Sequence, residues 1–183
     1  MNTATRHLLA TLLVGSALGL SGCATLSENE CRTADWGRLG RQDGAAGHPE
    51  SRLAEHAEAC NKIGVLPNAT AWRAGWDQGV QNYCTPAVGW REGLAGHSYN
   101  GVCRARGNEA GFLQAYHAGS DIHRTQNRIE QNNQELRRLE SQLRSAPNDE
   151  TRRRLRDRMR DLDWEQSRLR SQLGQMQLSA PRY

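Results

Sequence analysis

The chain has 183 residues, 37% of them hydrophobic and 5% aromatic, with one Phe, 18 Gly and a formal net charge of +4. So little Leu, Ile, Val and Phe excludes a large self-sufficient core. The charge is mild but uneven: residues 24–121 hold 9 basic and 11 acidic side chains, residues 122–178 hold 13 and 9.

Arg6 and His7 precede an apolar run over residues 8–20, shorter than the about 20 residues a membrane span requires. The run ends in Leu20-Ser21-Gly22-Cys23, which resembles a bacterial lipobox. Residues 1–22 therefore read as a lipoprotein signal peptide and Cys23 as the lipidated first mature residue. The alternative is an ordinary signal peptide with a chance cysteine. Lipoproteins of this kind carry three acyl chains, palmitate among them, and more than one chain gives stable anchoring at about 0.8 kcal/mol per buried methylene. Ala24 in place of Asp favours, by the same resemblance, the periplasmic face of a Gram-negative outer membrane. Residues 23–30 are expected to form a tether.

From residue 31 to 121, helix signals are frequent and strand signals weak. Asp35 can cap a helix over residues 36–46. Pro49 and Glu50 suit the first turn of a helix carrying Leu53, Ala57 and Cys60, stopped by Gly64. Asn68 can cap a helix over residues 69–83, and Thr85-Pro86 starts another over residues 87–95. Asn100-Gly101 marks a tight turn, with a minor hairpin expected there. Asn108 and Glu109 begin a further helix through Phe112 and Tyr116. Between Gly37 and Gly119 lie 14 of the glycines, several of them inside these helices at steps of three or four. Each costs up to about 1 kcal/mol against Ala, so a neighbouring backbone or ring must need the space.

Cys31, Cys60, Cys84 and Cys103 in an exported chain read as two disulfides with three connectivities open. Nearest-neighbour pairing, Cys31–Cys60 and Cys84–Cys103, is favoured because each bridge then staples one local loop. The competing reading is a metal site using His56 and Cys60 at i, i+4, which an oxidising compartment disfavours.

Beyond residue 121 the grammar changes. Ile122, Ile129, Leu136 and Leu143 recur every seven residues with Leu139 between them. After a turn with Pro147 and the cap Asn148, Leu155, Leu162, Leu169 and Met176 do the same, with Met159 and Leu173 in the complementary seam. Residues 122–177 thus read as an antiparallel coiled-coil hairpin with a tail at 178–183. Glu140–Arg144, Asp149–Arg153 and Glu150–Arg154 are expected ion pairs. The boundary near Asp121 is expected inside a continuous helix.

Chemistry-bearing patterns are sparse. Asp35, Asp43, Glu55, His56 and Asp77 are scattered in sequence, and no nucleophile elbow, zinc-protease helix or phosphate loop is present. No enzyme activity, catalytic residue, cofactor or metal is expected. The arginines of the 152–163 run, including Arg152, Arg153 and Arg156, fall outside the leucine seam and read as a solvated or partner-facing surface. Export argues against nucleic acid. Trp164 points away from the seam, and either docks on the preceding domain or marks a partner or membrane-interface contact. Trp72 and Trp90 are either packing rings or a platform for sugars.

"DWGRLGRQDGAAG", "WRAGWDQGVQNYCT" and "GWREGLAGHSYNGVC" closely resemble bacterial lipoproteins of domain-of-unknown-function family 2799. The resemblance covers about residues 31–123 and leaves out the hairpin. Some members keep only the cysteines matching Cys84 and Cys103, which supports that pairing. The family carries no assigned activity. The expectation is therefore a mainly α, disulfide-stapled bundle followed by a helical hairpin, in a lipid-anchored envelope protein. Its partner would be an envelope protein or, alternatively, cell-wall glycan, and the coiled coil could also pair between chains.

Overall fold

The computed structural model describes residues 25–104, 106 and 108–181; the expected lipobox and Cys23 lie outside them. The described residues form seven helices and no strand: α1 (Glu28–Thr33), α2 (Trp36–Ala45), α3 (Arg52–Asn61), α4 (Ala69–Tyr83), α5 (Pro86–Ala95), α6 (Glu109–Arg144) and α7 (Asp149–Leu178). The starts follow the capping residues. Asp35, Asn68, Thr85 and Asn148 each accept a backbone N–H three residues on, and Pro86 occupies the first turn of α5. These caps satisfy donors that the first turn leaves unpaired.

Three local expectations need correction. Part of the 23–30 tether is folded: Ser27 and Glu30 form a reciprocal capping box that starts α1. The connection near Asn100 is a turn with Gly101 at φ 76°, not a hairpin. Asp149 pairs with Arg152 at 3.1 Å in place of Arg153, while Glu150–Arg154 forms at 3.6 Å.

The glycines are spent on helix crossings. A methyl group at Gly40 would stand 2.0 Å from the Trp72 carbonyl oxygen, and one at Gly44 2.3 Å from that of Trp76. From the other side, a methyl group at Gly75 or Gly79 would stand 1.9 or 2.2 Å from the Gly37 or Arg41 carbonyl oxygen. Contact positions rise together along both chains, so α2 and α4 run parallel with their backbones touching. The α5–α6 pair repeats this. Gly89 and Gly93 would meet the carbonyls of Phe112 and Tyr116 at 2.3 and 2.1 Å, and Gly119 that of Trp90 at 2.5 Å.

The two pairs are copies of one design. "GRQDGAAGH" (40–48) and "GWREGLAGH" (89–97) hold the same places. Gly47 and Gly96 both end their helix at positive φ, 75° and 73°, which glycine adopts without strain. The N–H groups of His48 and His97 then bond the carbonyls of Asp43 and Glu92, each at 3.0 Å. A ring donor closes each crossing: Trp76 Nε1 donates to the His48 carbonyl (2.8 Å) and the Tyr116 hydroxyl to that of His97 (2.7 Å). Cys31–Cys60 and Cys84–Cys103 are bonded, each tying the segment before the first helix of a pair to the crossover before its second. The shared core holds Trp72, Trp76, Val80, Tyr83, Val102 and Phe112.

Helix α6 leaves this domain without a break and pairs with α7. Its buried positions Thr125, Asn132 and Leu139, with Ala146 just beyond its end, continue a second heptad seam beside the expected Ile122/Ile129/Leu136/Leu143 set. Leu162, Gln166 and Leu169 are buried opposite. Gln166 Nε2 donates to Asn133 Oδ1 at 2.5 Å, yet Asn132 Nδ2 and Gln166 Oε1 are buried without a protein partner. Arg128 and Glu165 bridge the edge of this layer at 3.0 Å. A polar layer in a coiled coil lowers stability and fixes register. Replacing Asn132 and Gln166 together by Leu is therefore expected to stabilise the hairpin by about 1–4 kcal/mol while relaxing its register. Urea unfolding and sedimentation would show a higher midpoint together with dimers or mixed species.

Candidate functional site

Two features stand apart from generic packing: a buried polar cluster in the first helix pair and the outer face of α7. The cluster gathers side chains from four segments. Asp43 lies on the inner face of α2, His56 on α3, Trp72 on α4, and Thr25 ahead of α1. His56 is 1% exposed and Trp72 0%. Asp43 Oδ2 accepts from Trp72 Nε1 at 2.9 Å and faces His56 Nε2 at 2.9 Å. Since a carboxylate only accepts, Nε2 carries a proton, and Nδ1 stands 2.8 Å from the Thr25 hydroxyl. The Arg52 guanidinium stands 3.9 Å from the other carboxylate oxygen.

Burial alone would raise the Asp43 pKa. The hydrogen bonds from His56 and Trp72, with the charges of His56 and His48, outweigh it and hold the carboxyl below its usual range. The order hydroxyl–imidazole–carboxylate is that of a nucleophilic triad. Here both ring nitrogens are occupied and the imidazole is 1% exposed. What the cluster does is fasten: it joins the segment at Thr25 to three helices.

Comparison of the two halves sharpens this. At the place of Asp43 the second half has Glu92, whose carboxylate turns outward to His97 at 2.9 Å. At the place of Trp72 it has Phe112, buried with no donor. The crossing therefore closes without a polar network, and the first half's network is an addition that serves the N-terminal segment. Sequence reading left Asp43 and His56 as scattered residues. The signal that could have found them is the repeat itself, in which Asp43, His56 and Trp72 are the positions that break the copy.

The other sequence-singled residues separate cleanly. Trp72 is enclosed and Trp90 half-buried, so Trp72 has no face to offer a sugar or partner. Cys60 is engaged in a disulfide, and no group of three or more His, Cys, Asp or Glu among the described residues is placed to hold a metal. Arg152, Arg153 and Arg156 are exposed. Trp164 is 79% exposed, which removes the expectation that it docks on the domain. It heads a stripe at helical spacing, Trp164, Ser167, Ser171, Gln175 and Leu178, all exposed and uncharged, on the side of α7 away from Leu162 and Leu169. Toward the N-terminus of α7 the exposed surface is instead basic, with six arginines between residues 152 and 160 against Asp157. No helix among the described residues is long and apolar enough to cross a membrane.

Residues 35–121 match the model of a family described as a protein of unknown function (DUF2799). No curated protein and no solved structure matches the chain. The matched region begins at the cap of α2 and ends inside α6, so it takes in both helix pairs and excludes α7.

Proposed function

We propose that the chain, whose residues 35–121 match the DUF2799 family, is a lipid-anchored envelope adaptor whose hairpin is the partner-binding arm. The family domain is the base, the lipid on Cys23 the anchor, and α7 the recognition element, on the periplasmic face of the outer membrane. The observation that carries this reading is Trp164, 79% exposed on a helix whose opposite face is already satisfied by α6. A large ring held in water on a rigid helix is a frequent anchor of protein interfaces. The serines of the stripe allow another helix to approach closely, and the arginines ahead of it suit an acidic flank. The partner that fits is a helix with an apolar stripe and an acidic end. The proposed role is binding, with the buried cluster serving to hold the N-terminal segment. A glycan-binding role is the poorer fit because Trp72 is enclosed.

Trp164→Ala is expected to leave Tm within about 2 °C of the parent, because surface changes stay within about 0.5 kcal/mol. It should nonetheless remove the envelope proteins that co-purify with the full-length chain, and reversal of Arg152, Arg153 and Arg156 to Glu should weaken the same set. Unchanged co-purification with both variants refutes the adaptor reading.

A further inference from the structure

The loop that follows α3, residues 62–67, is unusual for an exposed turn. It reads Lys-Ile-Gly-Val-Leu-Pro, and Leu66 is 76% exposed, with Ile63, Val65 and Pro67 half-buried behind it. The loop is held in one shape. Gly64 takes φ 72°, Val65 N–H bonds the Cys60 carbonyl at 3.1 Å, and Cys60 is bonded to Cys31 of α1. Along the sequence no acidic residue lies between Glu58 and Asp77, and Lys62, the chain's one lysine, lies within the loop.

The N-terminal fastening decides what this loop meets. Thr25 is bonded to His56, one helical turn ahead of Cys60, from which the loop springs. Only Ala24 lies between Cys23 and Thr25, and the two steps reach at most about 7 Å when extended. A lipid on Cys23 therefore holds α3 against the bilayer with almost no slack, where most of a longer tether would let the domain float. We propose that the 62–67 loop is a second membrane contact, with Leu66 and its apolar neighbours entering the interface and Lys62 facing anionic headgroups. The Asp43–His56–Thr25 fastening is what makes this contact obligatory, which explains why only the first half carries it. This proposal rests on Cys23 being the lipidated residue, the reading given above.

The experiment uses the mature chain from Cys23 with both disulfides formed, which leaves Cys23 as its free thiol. One saturated acyl chain is attached there chemically, so the result does not depend on whether cells acylate the protein. A single chain binds only marginally, so a second contact is readable. Flotation with phosphatidylethanolamine–phosphatidylglycerol vesicles should show Leu66→Ser partitioning about tenfold more weakly than the parent, with Trp164→Ala unchanged. Lys62→Glu should weaken binding to these vesicles and not to purely zwitterionic ones. Equal partitioning of the parent and Leu66→Ser overturns the proposal and leaves Leu66 to a protein partner. Failure of the anchor reading is seen separately, as an unacylated Cys23 by mass spectrometry of the protein isolated from its envelope.

Discussion

Gly40→Ala is expected to destabilise the protein by at least about 3 kcal/mol, at the upper end of overpacking effects. The added methyl would sit 2.0 Å from the Trp72 carbonyl oxygen and 3.0 Å from the Trp76 nitrogen. Both are helix backbone atoms, so no rotamer change relieves the contact and α2 must lift from α4. Lifting exposes Trp72 and Trp76 and separates the groups around Asp43. The helix preference of Ala returns only up to about 1 kcal/mol. Gly174→Ala supplies the opposite sign: it lies in a helix with nothing within 4 Å, so the same substitution should stabilise by up to about 1 kcal/mol. Thermal unfolding followed by near-ultraviolet circular dichroism should place Gly40→Ala roughly 6–12 °C below the parent and Gly174→Ala above it.

Asp43→Ala is expected to cost about 3–5 kcal/mol, the range for removing one partner of a buried charged set. It strips the acceptor from Trp72 Nε1 and His56 Nε2 together, in a buried site. Glu92→Ala, at the matching place in the second half, removes an outward-facing contact to an exposed His97 and should stay within about 0.5 kcal/mol. The pH dependence has a definite sign. Because the folded Asp43 carboxyl is held below its usual range, its contribution is complete above the pKa of the unfolded carboxyl and is lost as pH falls through the folded value. The advantage of the parent over Asp43→Asn in urea titrations should thus be constant above about pH 5 and shrink below about pH 4.

Much of the helical plan was legible because it is written in local chemistry. Asp35, Asn68, Thr85-Pro86 and Asn148 are capping residues whose action extends three residues along the chain, and each starts a helix as expected. The glycine steps pointed to close approach, though not to parallel helices, since spacing on one helix does not say which way its neighbour runs. The six-residue α1 escaped notice because it is set by one capping box and a disulfide and has no apolar periodicity of its own. Asp43 and His56 escaped because they sit on different helices with a turn between them, and only packing brings their side chains to 2.9 Å. The Thr125/Asn132/Leu139/Ala146 seam was missed for a different reason: a search for apolar heptads does not register threonine, asparagine and alanine as core. Trp164 was placed correctly off the seam by helical spacing, but its exposure depended on where α6 ends and how the hairpin leaves the domain.

The duplicated helix pair gives these separate facts one physical account. Two copies of a glycine crossing, each with its own disulfide, make a stable base from a chain with few large apolar residues. One copy has acquired a polar cluster that secures the N-terminal segment; the other continues through α6 into the hairpin. The N-terminal segment and the hairpin are thereby joined through packed helices. Such a build suits a protein that holds a partner at a set distance from a surface.

The most direct test of that account is site-specific photo-crosslinking in intact cells, comparing a crosslinker at Ser167, inside the exposed α7 stripe, with one at Gln126 on the exposed side of α6. A discrete adduct with one envelope protein from Ser167, absent from Gln126 and lost on Trp164→Ala, is the predicted result. Adducts of equal yield from both positions, or an adduct that persists without Trp164, would contradict the assignment of α7 as the recognition arm.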